Sequence, residues 1–90
     1  GTKEYYSRLT DIFRVYILRR KGIMSLQKTT DDLVVQLNNA GMDKEQFGSL
    51  SQVLRLADFV KFAKYVPSEE DNRVVFEVIK ETIEKIEQKG

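Results

Sequence analysis

Residues Leu50–Asp71, LSQVLRLADFVKFAKYVPSEED, decide the fold. Their first part sets Leu50, Val53, Leu54, Leu56, Ala57, Phe59, Val60, Phe62 and Ala63 around most of a helical circumference. A helix that is apolar nearly all round is buried by neighbours on several sides. The spacing predicts a helix from about Leu50 to Tyr65 that serves as the hub of the domain. Pro67 is expected to stop it and to bias Val66 toward extended geometry. Ser68 with Asp71 then reads as a cap and its acidic partner, with Glu69 and Glu70 adding negative charge at the positive end of a new helix. That last helix, about Glu69 to Gln88, carries Val75, Val78, Ile79, Ile83 and Ile86 on one face.

Upstream of the hub, Asp43 and Gln46 have capping-box spacing, and Gly48-Ser49 follows at once. Either a short turn of helix spans residues 44–47, or one helix kinks at Gly48. Before that, Thr29 or Thr30 caps a short helix with Asp31 and Asp32 in its first turn and Leu33, Val34 and Leu37 as its apolar stripe. The chain opens with Tyr5, Leu9, Ile12, Phe13, Tyr16 and Ile17 at helical spacing, a helix of about Lys3 to Arg20. Arg19, Arg20 and Lys21 complement its negative end, and Gly22 is placed to take the left-handed cap. The loop GIMSLQK after it is apolar enough to pack over the bundle. No alternating run and no Asn-Gly or Asp-Gly turn points to a sheet. The expectation is an all-α, compact bundle of four main helices, with an extra short helix near residues 44–47 as the variant.

Composition narrows function more than it defines it. Ninety residues, 41% hydrophobic and 32% charged, make one folded domain. A net charge of +1 gives no global field for nucleic acid or an anionic membrane. No cysteine and no histidine are present, so the side chains most used for nucleophilic, acid–base and metal chemistry at neutral pH are missing. Neither an enzyme nor a cofactor or metal site is expected. No apolar run is long enough to span a bilayer. The start at Gly1-Thr2 reads as a cloning remnant ahead of a single helical domain at residues 3–88.

Four features could carry function. Arg14, Arg19, Arg20 and Lys21 form a basic cluster that reads first as a helix end satisfying its dipole, and second as a patch for lipid headgroups or nucleic acid. Asp31, Asp32, Glu69, Glu70 and Asp71 lie where helices begin, without the spacing of a cation loop. Asp58, inside the hub, either shares a solvent edge with Lys61 or pairs with Arg14. Nine aromatics fill the core, with Tyr6, Val15, Leu18, Phe59 or Phe62 available to surface as a partner patch.

The segment LADFVKFAKYVPSEEDNRVVFEVIKETIE resembles the closing part of the cytoplasmic helical domain in the BatD aerotolerance family. The residues that carry the likeness are Leu56, Ala57, Asp58, Val60, Lys61, Phe62, Ala63, Lys64, Pro67 and Ser68. The opening YYSRLTDIFRVYILRRKGIMSLQKTTDDLV is similar to that family's first helix, Gly-Ile loop and threonine-capped second helix. The resemblance implies a domain on the cytoplasmic side of the bacterial inner membrane, anchored through an upstream segment, and soluble as given. It also implies partners among MoxR-type AAA+ ATPases and proteins with von Willebrand factor A domains. No family catalytic residue exists to carry over.

The expected function is therefore a non-enzymatic protein–protein interaction module. Tyr6, Arg14, Arg19, Lys61 and Lys64 are the candidate partner-binding residues, taken as exposed. Leu56, Ala57, Asp58, Phe62, Pro67 and Ser68 are the motif residues with structural roles. The alternative is a lipid- or nucleic-acid-binding module using the basic end of the first helix, nucleic acid being disfavoured by the balanced charge. A homodimer through an uncovered apolar face is the remaining variant.

Overall fold

Helix starts follow local capping chemistry. A computed structural model describes residues 1–89. Helix α1, Thr2–Lys21, ends at Gly22, whose φ of 70° lets its N–H return to the Leu18 carbonyl. A 3-10 turn, Ser25–Gln27, precedes α2, Thr30–Asn39. Of the two threonines it is Thr29 that caps α2, its hydroxyl accepting the Asp32 N–H at 3.2 Å. Helix α3, Lys44–Phe62, is capped by Asp43, whose carboxylate accepts the Gln46 N–H at 3.2 Å. Helix α4, Glu69–Lys89, begins with a reciprocal box: Ser68 Oγ accepts the Asp71 N–H and Asp71 Oδ2 accepts the Ser68 N–H, both at 3.0 Å. The bundle of four helices expected from the periodicity is present, with no strand among the described residues.

Two expectations about the hub are corrected. Helix α3 runs unbroken through Gly48, so no separate helix forms near residues 44–47. A helical glycine costs about 1 kcal/mol relative to alanine, less than the burial of Leu50 just beyond it contributes. At its other end α3 stops at Phe62, well ahead of Pro67. Lys64 adopts φ 58°, and the Tyr65 N–H turns back to the Phe59 carbonyl at 3.2 Å. A left-handed lysine, not the proline, ends the helix.

Pairings between helices define the topology. Tyr6 meets Asn72, Tyr16 meets Ile83 and Arg20 meets Glu87, so α1 and α4 run parallel. Gln46 meets Thr82, Asp31 meets Arg55 and Thr10 meets Lys61, so α3 runs antiparallel to α4, α2 and α1. It packs against all three and is the central helix. The connection from Gly22 to Thr29 makes this possible by walking back along α1. Arg14 fastens it, donating to the carbonyls of Ser25 at 2.5 Å and Lys28 at 2.6 Å, while Ser25 Oγ bonds the Arg14 carbonyl. In that loop Ser25 is buried and Ile23 packs on the core, whereas Met24 and Leu26 stay exposed.

The core joins Tyr6, Phe13 and Ile17 of α1, Leu33, Val34 and Leu37 of α2, Leu50, Val53, Leu54, Ala57 and Val60 of α3, and Val75, Ile79 and Ile86 of α4. A radius of gyration of 12.4 Å is that of one closely packed body, for which about 12 Å is expected at this length.

Candidate functional site

The short α2 leaves part of α3 uncovered. Ten residues of α2 rise about 15 Å, while the nineteen of α3 rise about 28 Å. The Asp31–Arg55 ion pair, at 3.5 Å, marks where the cover ends. Phe59 and Phe62 follow Arg55 at i+4 and i+7, on the same helical face. They are 57% and 76% exposed, and Val66 beyond them is 84% exposed. The hub is buried by neighbours on several sides, and of the residues expected to be able to surface Phe59 and Phe62 do so, giving its last two turns an aromatic strip to solvent.

Beside the strip lies an open groove of about 400 Å³ between α1, the returning loop and α3. Leu26 and Phe62 supply its exposed apolar surface, and Asp11, Arg14, Lys28, Asp58 and Lys61 its charges. Lys61 stands 5.2 Å from the centre of the Phe62 ring, and its ammonium donates to Thr10 Oγ1 at 3.4 Å. Asp58 is half-buried and forms no ion pair with Arg14, which is committed to the loop carbonyls. Of the two readings offered for Asp58, the edge shared with Lys61 in this groove fits.

The five candidate partner residues do not share one surface. Tyr6 is fully buried, its hydroxyl donating to Asn72 Oδ1 at 2.6 Å; burial, with the nearby Asp71 charge adding to it, pushes the phenol up to about 12. Arg14 faces inward. Both were expected to be exposed: Tyr6 is corrected to a core residue, and Arg14 to a half-buried one whose guanidinium is held by the loop carbonyls. Lys61 borders the groove, Lys64 sits in the turn beyond the strip, and Arg19 is exposed on the far part of α1. Among the motif residues, Ala57 is buried, Leu56 and Pro67 are half-buried and Ser68 is the α4 cap. The Ser68 N–H and then the Tyr65 hydroxyl, at 2.8 Å, hold Asp71 below the usual carboxylate range.

The basic end of α1 is partly engaged, since Arg20 pairs with Glu87 at 2.6 Å. Among the described residues no group of three or more acidic, histidine or cysteine side chains is placed to hold a metal ion. No described helix is long and apolar enough to cross a membrane.

A second concavity went unread in the sequence. The spacing predicts Gln46 as the reciprocal half of a capping box; instead its side chain is buried and donates to Thr82 Oγ1 at 2.5 Å, which donates to the Val78 carbonyl at 2.8 Å. A small cavity of about 60 Å³ opens beside this pair, between the ends of α1, α2 and α4 and the start of α3. The one sequence signal was Thr82, a polar residue on the stripe of Val75, Ile79 and Ile86. Comparison with protein-family models, with curated proteins and with solved structures finds no match.

Proposed function

We propose that this domain is a non-enzymatic protein–protein interaction module, and that the uncovered half of α3 is its docking face. The observation that supports this is the exposed strip of Phe59, Phe62 and Val66 beside the groove of Leu26 and Lys61. Large apolar groups set together at the surface mark sites of association, and aromatics lose little conformational entropy when a partner covers them. The i, i+4, i+7 spacing of Arg55, Phe59 and Phe62 suits an amphipathic helix of a partner, lying where a longer α2 would run. The resemblance to the BatD-type cytoplasmic domain directs the choice of partner to a MoxR-type AAA+ ATPase or a von Willebrand factor A protein. It also carries the proposal of a membrane anchor in the full-length protein.

The test is direct binding of each purified partner from the source organism to the domain and to its Phe59→Ser/Phe62→Ser variant. Binding by one partner that drops at least tenfold in a variant of unchanged melting temperature supports the reading. Equal binding by both forms, or none by the parent, rejects it. Sedimentation over a range of concentrations separates a homodimer: a mass that rises in the parent and not in the variant reassigns the strip to self-association.

A further inference from the structure

The cavity beside Gln46 and Thr82 lies far from the aromatic strip. Sixteen residues of α3 separate Gln46 from Phe62, about 24 Å along the axis, so the two surfaces are independent. Its walls include Leu37, Met42 and Ile86, and the mouth is framed by Lys21, Lys85 and Lys89. The one acidic residue of the lining, Asp43, already accepts the Gln46 N–H. Neither Lys21 nor Lys85 has a carboxylate within 4.0 Å among the described residues. Lys21 and Lys89 lie in the last turns of their helices, where a lysine complements the dipole, but Lys85 stands a turn earlier. Three ammonium groups against the one carboxylate of Asp43 give this hollow an excess of positive charge, on a chain whose net charge is only +1.

Size and charge together select the occupant. In a volume of this kind one water takes about 10–15 Å³, so 60 Å³ holds roughly four to six, a space on the scale of one aliphatic side chain. We infer that this cavity is a socket for a single aliphatic side chain presented within an acidic segment of a partner protein. The side chain fills the hollow over Ile86, and flanking carboxylates meet Lys21 and Lys85.

The probe is the peptide acetyl-Glu-Asp-Leu-Asp-Glu-amide, titrated into the isotopically labelled domain and followed by amide NMR. Saturable shifts are expected at Gly41, the Gln46 side chain and Thr82, weakening at least tenfold when salt rises from 20 to 300 mM and the Debye length falls from about 20 Å to about 6 Å. The same peptide with alanine for leucine is expected to bind at least fivefold more weakly, and the Lys21→Glu/Lys85→Glu variant to lose the shifts. Should that variant fail to fold, Lys21→Gln and Lys85→Gln are read singly, each expected to weaken binding about threefold. Absence of shifts at millimolar peptide, equal binding of the alanine peptide, or shifts confined to Phe59–Val66 overturns the inference. Phosphatidylglycerol vesicles that perturb the same residues while the peptide does not would reassign the lysines to a membrane surface, and also overturn it.

Discussion

From Gln46 to Leu54, α3 lies under α2 and α4, and Leu50, Val53 and Leu54 are buried. From Arg55 to Phe62 it keeps α1 beside it, through Lys61 and Thr10, but has outrun α2; Ala57 and Val60 remain buried while Phe59 and Phe62 face solvent. The half with the exposed strip is the more apolar, five residues of eight against four of nine, so composition does not mark it as the open one. The length of α2 and the place where it starts do. Where α2 starts is in turn fixed by Arg14, which pins the returning loop eleven to fourteen residues further along the chain. An apolar side chain on this helix is a core residue or a docking residue according to a contact made elsewhere.

The largest expected effect tests this contrast head on. Leu54→Ala should cost about 2–5 kcal/mol, the usual loss for a truncated core leucine, read as a lowered urea midpoint with unchanged slope. Phe62→Ala removes more carbon from the same helix, yet should stay within about 0.5 kcal/mol of the parent. If the two cost the same, the strip is covered in solution and the contrast fails.

Arg14 and Arg19 carry the comparison to α1. Arg14→Ala leaves the Ser25 and Lys28 carbonyls without their charged donor and should cost about 1.5–3 kcal/mol. Arg14→Lys should recover only part of this, because an ammonium does not reproduce the guanidinium fork. Arg19→Ala, at an exposed site, should fall within about 0.5 kcal/mol. Denaturation of the three variants side by side decides it. If Arg14→Ala is as silent as Arg19→Ala, the loop does not set the start of α2, and the explanation for the uncovered half is wrong.

Tyr6 tests the end of the bundle near the covered side of that second half. Its phenol titrates at about 12 in the folded state and near 10 when unfolded. The unfolded chain therefore releases this proton first, and the stabilisation is complete below pH 10 and lost as pH rises toward 12. The loss should be on the order of 2–3 kcal/mol between those limits. Other groups titrate there too, so the quantity to measure is the difference from Tyr6→Phe, whose stability should decline less steeply over the same range. Parallel curves for parent and variant would show that the hydroxyl is hydrated in solution.

Much of this architecture was legible because it is local. Asp43, Ser68 with Asp71, and Gly22 each act within four residues and were placed by spacing alone, while for α2 the spacing left Thr29 and Thr30 as alternatives, of which Thr29 caps. The core stripes of α2 and α4 were legible for the same reason. Gly48 misled because its cost is small beside that of the contacts around it. Tyr6 and Arg14 misled because their partners, Asn72 and the Ser25–Lys28 carbonyls, are brought to them by topology. The same reason hid the pairing of Gln46 with Thr82, and with it the lysine-rimmed cavity. Phe59 and Phe62 were noted as residues able to surface, but which side of α3 stays open depends on how far α2 reaches.

The smallest effect separates backbone from surface at the end of the strip. Lys64 holds φ 58°, a region that costs a residue with a Cβ about 1–2 kcal/mol, and it ends α3 immediately after Phe62. Lys64→Gly removes that cost but frees the unfolded chain, so a net gain of about 0.5–1 kcal/mol is expected. Lys64→Ala keeps the strained turn and deletes only the ammonium, so its stability should change by less than about 0.5 kcal/mol. The pair of variants therefore divides the two roles that one lysine can have. A gain in Lys64→Gly with partner binding intact in both makes this residue the terminator of α3, the element that leaves Phe62 at a free end. Binding lost equally in both, whatever happens to stability, makes the ammonium a contact and extends the docking face past the helix.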